Sequence, residues 1–373
     1  RPGSYAEMCD YLKLVQSLNI LHQEGGGAFE ALDLPATTRH LDLYLAQWRL
    51  LDKNCQAYAL GRERTVDAIE MACIALDTDR DGLAQHPALL AIINTNSPML
   101  LDVQMSEAVL ELAAAGQACC ITPFTLAGSM SPATLAGTLM QQTAEALAVG
   151  VLAQVVRPGA PILYGSFASN VDMQSGAPAL GTPEYTKAAQ ASGQIARRLG
   201  LPFRSSNTTV SNCPDAQAAF ESQMSLWGAV MGHANLVNHA AGWLEAGLTA
   251  SFEKLIIDAE MLQMIAEYLR PIDVNDDELA LDAIAEVGPG GHHFGTAHTL
   301  ERYEHAFYAP LLSTRQNFEN WQEAGSQDIA TRANQTWKQL LDEYEQPALD
   351  PAIDEALVAY ADRRRPTLLA AAS

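Results

Sequence analysis

The chain has 373 residues, 48 % of them hydrophobic and 18 % charged, so it can bury a large core and does not have the composition of a disordered chain. Acidic residues outnumber basic ones 44 to 22, and the formal charge of -22 argues against nucleic acid as a partner. The six cysteines form neither a CxxC pair nor a regular framework, and no run of about twenty apolar residues lacks polar breaks, which reads as a reduced cytoplasmic protein without a membrane span.

The chain opens on Arg1-Pro2-Gly3-Ser4 with no signal-peptide pattern, and a further N-terminal segment is expected to precede it. A helix over residues 5–17 leads to a first strand, 18–22, that ends at Gly25-Gly26-Gly27. Helices are then predicted over 38–50, 65–76, 105–115, 131–156, 183–199, 215–232 and 251–269. Between them fall short apolar runs at 57–60, 89–93, 118–122, 161–167, 202–205 and 235–240, with an eighth at 284–287. Strand and helix alternating in this way predict a (β/α)8 TIM barrel over 1–299, and an open doubly wound sheet is less well supported because no GxGxxG follows the first strand. Residues 300–373 read as a helical extension, with Tyr303, Phe307, Tyr308 and Trp321 packing back on the barrel.

Barrel enzymes work at the C-terminal ends of their strands, so the residues just after each run are the candidates. These are His22, Asn94, Asn96, Thr122, Phe124, Tyr164, Phe167, Asp172, Arg204, Asn207, His239, Trp243, Glu245, His292 and His298. The set is rich in aromatic rings and poor in lysine, which suits a quaternary ammonium held by cation–π attraction and not Schiff-base chemistry. The stretch from Val287 to Thr299 stands out, because Gly288, Gly290 and Gly291 free the backbone while His292, His293 and His298 supply imidazoles. The histidines with Asp172 also allow a divalent-metal site, though no HExxH-type pair supports it, and none is assigned.

Gly288-Pro289-Gly290-Gly291-His292 with His298-Thr299-Leu300 resembles the C-terminal signature of the trimethylamine:corrinoid methyltransferase family. Thr122-Pro123-Phe124, residues 157–161, residues 200–204 and residues 239–245 resemble other blocks of that family, and the likeness spans essentially the whole chain. The resemblance implies an enzyme that moves a methyl group from a methylated amine to the cobalt of a corrinoid (cobalamin) carried by a separate protein docked over the barrel mouth. The family's archaeal founders carry pyrrolysine, whereas this sequence has only the twenty standard residues, which points to the branch that demethylates betaines. On that reading Phe124, Tyr164, Phe167, His239, Trp243 and Glu245 bind the substrate, His292, His298 and Asp172 serve catalysis, and Asn96, Gly290 and Gly291 approach the corrinoid. A homo-oligomer is expected. The alternatives are a quaternary-amine sensor that does not turn over and a metal-dependent TIM-barrel hydrolase or lyase.

Overall fold

The computed structural model describes residues 1–25 and 29–372. Gly26 and Gly27, the predicted end of the first strand, lie outside the described residues. Six parallel strands form the central sheet in sequential order: β1 (Cys55–Ala57), β2 (Leu89–Ile93), β3 (Ala118–Ile121), β4 (Ile162–Gly165), β5 (Phe203–Ser206) and β6 (Leu236–Asn238). The sheet curls into a half-barrel, with a helix crossing over its outer face between successive strands.

Strand parity explains which side chains face inward. Ala91 pairs with Cys119, Tyr164 with Phe203, and Gly165 with Arg204. Tyr164 and Phe203 therefore share the outer face, where they join the core beneath the helices, while Gly165 and Arg204 share the inner one. Gly165 is required there, since a Cβ would stand 2.0 Å from the Thr122 hydroxyl and 2.7 Å from the Ile121 carbonyl. After β3 and β4 the chain rises into a second tier, where Phe124–Ala127 runs parallel to Phe167–Val171 and the latter pairs antiparallel with Pro178–Ala179. Pro123 helps to end β3, because it has no N–H to give the ladder.

The helices start and stop where local chemistry tells them to. Ser4 and Glu7 form a reciprocal capping box at the start of Tyr5–Ser17. Thr182 caps Pro183–Leu199, Pro183 occupies its first turn, and Gly200 ends it in the left-handed conformation at φ 68°. Leu135–Val156 is long and apolar enough to cross a bilayer, yet here it is the crossover from β3 to β4, with Gln142 and Glu145 buried.

Several expected elements differ. The first strand is a single parallel bridge from Gln23 to Asn54. The second shifts back to Cys55–Ala57, and the run over 161–167 splits at Ser166 into two strands. The eighth is a helix, Leu281–Val287, because the acidic turn Asp276–Leu279 capped by Asn275 leads into it and only Ala283 of its apolar residues is buried. A short apolar run does not distinguish strand from helix by itself. Tyr303 and Phe307 are exposed and do not pack back. The extension is instead held by Ile329–Asp342, whose Trp337 meets Phe252, and by Pro351–Ala372, where Arg364 pairs with Asp67 and Arg365 with Asp42.

Candidate functional site

A cavity of about 320 Å³ lies at the centre of the half-barrel, lined by Gln56, Asn94, Phe124, Phe167, Arg204, His239 and Trp243 among others. Gln56 and Arg204 project from inside their strands, Asn94 and His239 from the ends of β2 and β6, and the phenylalanines from the second tier. Phe124 and Phe167 are register partners with ring centroids 5.1 Å apart. Phe167 also meets His239 edge-on at 6.1 Å.

The opposite wall is a stacked pair. The His239 ring lies over Trp243 with centroids 3.5 Å apart and planes 17° from parallel. This stack requires a sharp chain reversal, with φ at 52° for His239 and 93° for Gly242. The reversal is pinned from below: Asp258 accepts the Gly242 N–H at 2.9 Å and Tyr11 donates to the Ala241 carbonyl at 2.9 Å. A Cβ on Gly242 would lie 2.4 Å from that tyrosine oxygen, so the position needs glycine on both counts. Asp258 is itself buried and paired with Lys254, which also donates to Ser222 at 2.7 Å.

Arg204 dominates the electrostatics. It is 1 % exposed, and its guanidinium donates to the Ser166 carbonyl at 3.3 Å and to His239 Nδ1 at 3.4 Å. Its Nε is buried without a partner, and its Cζ sits 5.7 Å from the centre of the Phe167 ring. No ion pair holds it among the described residues, and no carboxylate lines the cavity. Burial lowers its pKa from the usual guanidinium value. Burial and the neighbouring Arg204 charge together hold His239 well below the usual imidazole value, so it is neutral near pH 7. Arginine only donates, so Nδ1 accepts from it, while the Asn238 amide nitrogen lies 3.2 Å from Nε2.

Of the residues expected to bind substrate, the structure brings together Phe124, Phe167, His239 and Trp243. Tyr164 faces outward, bonded through its hydroxyl to Gln142 and Thr143. Glu245 follows the stacked turn but accepts from Thr249 and does not line the cavity. Asp172 is exposed and closes its own turn, accepting from the Gln174 N–H and from Ser175, whose hydroxyl holds its carboxyl below the usual range. Asn96 is exposed at the mouth, where its side chain accepts from Asp102 N. Gly290, Gly291, His292 and His298 follow the helix that replaces the eighth strand; His292 is exposed, and His298 lies 3.2 Å from the Asp277 carbonyl. His239, His292, His298 and Asp172 are not gathered into a metal site among the described residues. Gln56 and Arg204 are the inward groups that strand-exit reasoning undervalued.

The model of the trimethylamine methyltransferase family matches residues 1–368. The chain belongs to that family. It is 38 % identical over 356 residues to the glycine betaine methyltransferase of Desulfitobacterium hafniense strain Y51, covering 95 % of this chain and 74 % of that protein. It is 30 % identical over 286 residues to the trimethylamine methyltransferase MttB2 of Methanosarcina mazei, and 32 % identical over 265 residues to a trimethylamine methyltransferase of Desulfitobacterium hafniense strain DCB-2. The chain spans 57 % and 53 % of the lengths of those two relatives. Membership makes it a methyltransferase.

Proposed function

We propose that this chain takes a methyl group from a quaternary ammonium that also bears a carboxylate, glycine betaine being the simplest, and delivers it to the Co(I) of a corrinoid on a partner protein. The observation that carries this reading is Arg204, a buried cation with no carboxylate partner in a cavity walled by aromatic rings. A buried charge left unpaired is costly, and a substrate carboxylate would complete it with charge-assisted hydrogen bonds. The trimethylammonium head then meets Phe124, Phe167 and Trp243, whose ring faces attract a cation that offers no N–H donor.

The same charge discriminates. A cation lacking the carboxylate, placed about 6 Å from Arg204, meets a repulsion of about 3 kcal/mol at an effective dielectric near 20, roughly a hundredfold in affinity. A neutral His239 adds nothing to that repulsion and keeps Arg204 aimed into the cavity. Neither Asp172 nor Glu245 is needed to balance the ammonium, because the zwitterion brings its own counter-charge.

The corrinoid, when bound, supplies a nucleophilic cobalt. The protein's part is to hold one methyl group toward the open mouth, a proximity effect worth up to about 7 to 11 kcal/mol for well-oriented reactants. A quaternary nitrogen leaves as a neutral amine without a proton, which agrees with a cavity lined by no acid. Asn96, Met99, Leu100 and Leu248 are exposed at the mouth, and their loops would meet a flat macrocycle and the partner around it. In this reading residues 300–373 are an extension of the half-barrel, the chain carries no pyrrolysine, and it acts in the cytoplasm as a homo-oligomer.

A thermal-shift panel tests the substrate. Glycine betaine at one hundred times its dissociation constant is expected to add about 2.7 kcal/mol of stability, while tetramethylammonium and trimethylamine at the same concentration give far smaller shifts. Equal shifts for tetramethylammonium and glycine betaine would remove the carboxylate from the recognition. Methyl transfer to cob(I)alamin, followed by its absorbance, separates turnover from a sensor that only binds.

A further inference from the structure

We infer that the buried ion pair of Lys254 and Asp258 aligns the His239–Trp243 wall for methyl transfer and is kept for that alignment and not for stability, an inference that rests on the cavity reading proposed above. Both residues are 0 % exposed. They sit one turn apart on Phe252–Tyr268, with Lys254 Nζ 2.5 and 2.6 Å from the two carboxylate oxygens and 2.7 Å from the Ser222 hydroxyl. Taking two charges out of water is costly, and an apolar pair of similar volume is often neutral or stabilising in place of a buried ion pair. Leu255, Ile256, Ile257 and Ala259 are buried on the same helix, so aliphatic side chains would suit these surroundings.

What an aliphatic pair does not offer is an acceptor for the Gly242 N–H. The reversal over 239–243 has its backbone polar groups tied one by one. The Asn207 amide donates to the Ala240 carbonyl, the Tyr11 hydroxyl to the Ala241 carbonyl and the Ser251 N–H to the Gly242 carbonyl, each at 2.9 Å. Those three bonds serve carbonyls. Asp258 is the partner of this turn that accepts, taking the Gly242 N–H at 2.9 Å. An ionised acceptor makes that bond about twice as strong as a neutral one. Burial pushes the Asp258 carboxyl up, and Lys254 opposes the shift by charge and by hydrogen bonding. Lys254 also fixes the carboxylate in place, because its bond to Ser222 ties it to the neighbouring helix Ala216–Met231.

The pin reaches the cavity through a single residue. Trp243 follows Gly242 and lines the cavity, and the His239 ring lies over it at 3.5 Å. A Gly242 released from Asp258 therefore moves the wall against which the trimethylammonium rests. A misplacement of about 1 Å is worth roughly a hundredfold in rate even when its cause lies away from the chemistry. Arg204 has a separate hold through the Ser166 carbonyl, so the carboxylate end of the substrate keeps its partner. The loss then falls on kcat more than on KM.

Two charge-free variants separate alignment from stability. Lys254→Met with Asp258→Leu removes the pair and the acceptor, whereas Lys254→Met with Asp258→Asn removes the charges and leaves an amide oxygen for the Gly242 N–H. The first is expected to unfold in urea at or above the parental midpoint. It should lose about tenfold or more in kcat for methyl transfer from glycine betaine to cob(I)alamin, with KM within about threefold, and exchange the amide hydrogens of residues 240–244 about tenfold faster. The second is expected to bring kcat back to within about threefold of the parent and to restore the slow exchange. A first variant that is destabilised or does not fold overturns the inference, because the pair is then kept for stability. So does a stable first variant with parental kcat, or a loss that Asp258→Asn does not rescue. The exchange measurement needs no substrate: unaltered exchange in the first variant overturns the pin, whereas faster exchange beside a parent chain that transfers nothing from glycine betaine overturns the substrate reading alone.

Discussion

Two histidine segments of this protein contrast in what their sequences advertise and in what the fold does with them. Residues 287–299 concentrate glycines and three histidines, yet they follow a surface helix and leave His292 in solvent. Residues 239–243 carry one histidine, which the fold stacks on Trp243, sets beside Arg204 and turns toward the central cavity. The difference is where each segment is anchored. The second leaves a strand of the sheet and is pinned by buried Asp258 and by Tyr11, whereas the first is tied to the body only through an exposed arm. Richness in chemically capable side chains does not make a site; a rigid element that aims them does.

The largest expected effect sharpens this contrast at Arg204. Arg204→Met keeps much of the side-chain volume and removes the charge. If the guanidinium pairs with a substrate carboxylate, truncating it costs about 2 to 5 kcal/mol, a fall of roughly 30- to 5000-fold in kcat/KM for glycine betaine. Transfer from tetramethylammonium should improve or hold steady. Equal losses on both substrates would break the assignment.

A smaller effect comes from His239. Its folded pKa lies below the ordinary 6.5, so the unfolded chain takes up a proton that the folded chain refuses. The sign follows: stability is unaffected by this group above about pH 6.5 and declines as pH falls below it, by up to about 1.4 kcal/mol per unit. His239→Gln should flatten the urea-midpoint profile between pH 6.5 and 5 relative to the parent chain. An unaltered slope would mean that the ring is not held neutral.

Much of the scaffold was legible because its signals are local. Ser4 with Glu7, and Thr182-Pro183 with Gly200, place two helices to the residue. The apolar run at 89–93 is β2 as read. Phe124, Phe167, His239 and Trp243 were found because each follows or closes a strand. Tyr164 was misjudged because it stands within β4 one residue from Gly165, and a single step along a strand exchanges the inner face for the outer. Arg204 was noted but undervalued for the same reason, since its meaning depends on the parity that pairs it with Gly165 and on the absence of an ion-pair partner. A lone arginine in a short strand with no acidic neighbour in the sequence was the available signal. The eighth strand failed because Ile284 and Val287 are apolar without being buried in the core, and periodicity over so few residues does not reveal burial.

The smallest expected effect is the one that would break the comparison from the other side. His292→Ala removes an exposed ring that lies outside the cavity lining, with its centroid 5.9 Å from that of Phe294. Surface substitutions of this kind are usually worth within about 0.5 kcal/mol, roughly a twofold change. Methyl transfer to cob(I)alamin at saturating glycine betaine should therefore stay within about twofold of the parent chain, as should the apparent affinity for betaine. A loss of tenfold or more in turnover would return the loop to the site, because an exposed ring can matter that much only if something seats on it during the reaction.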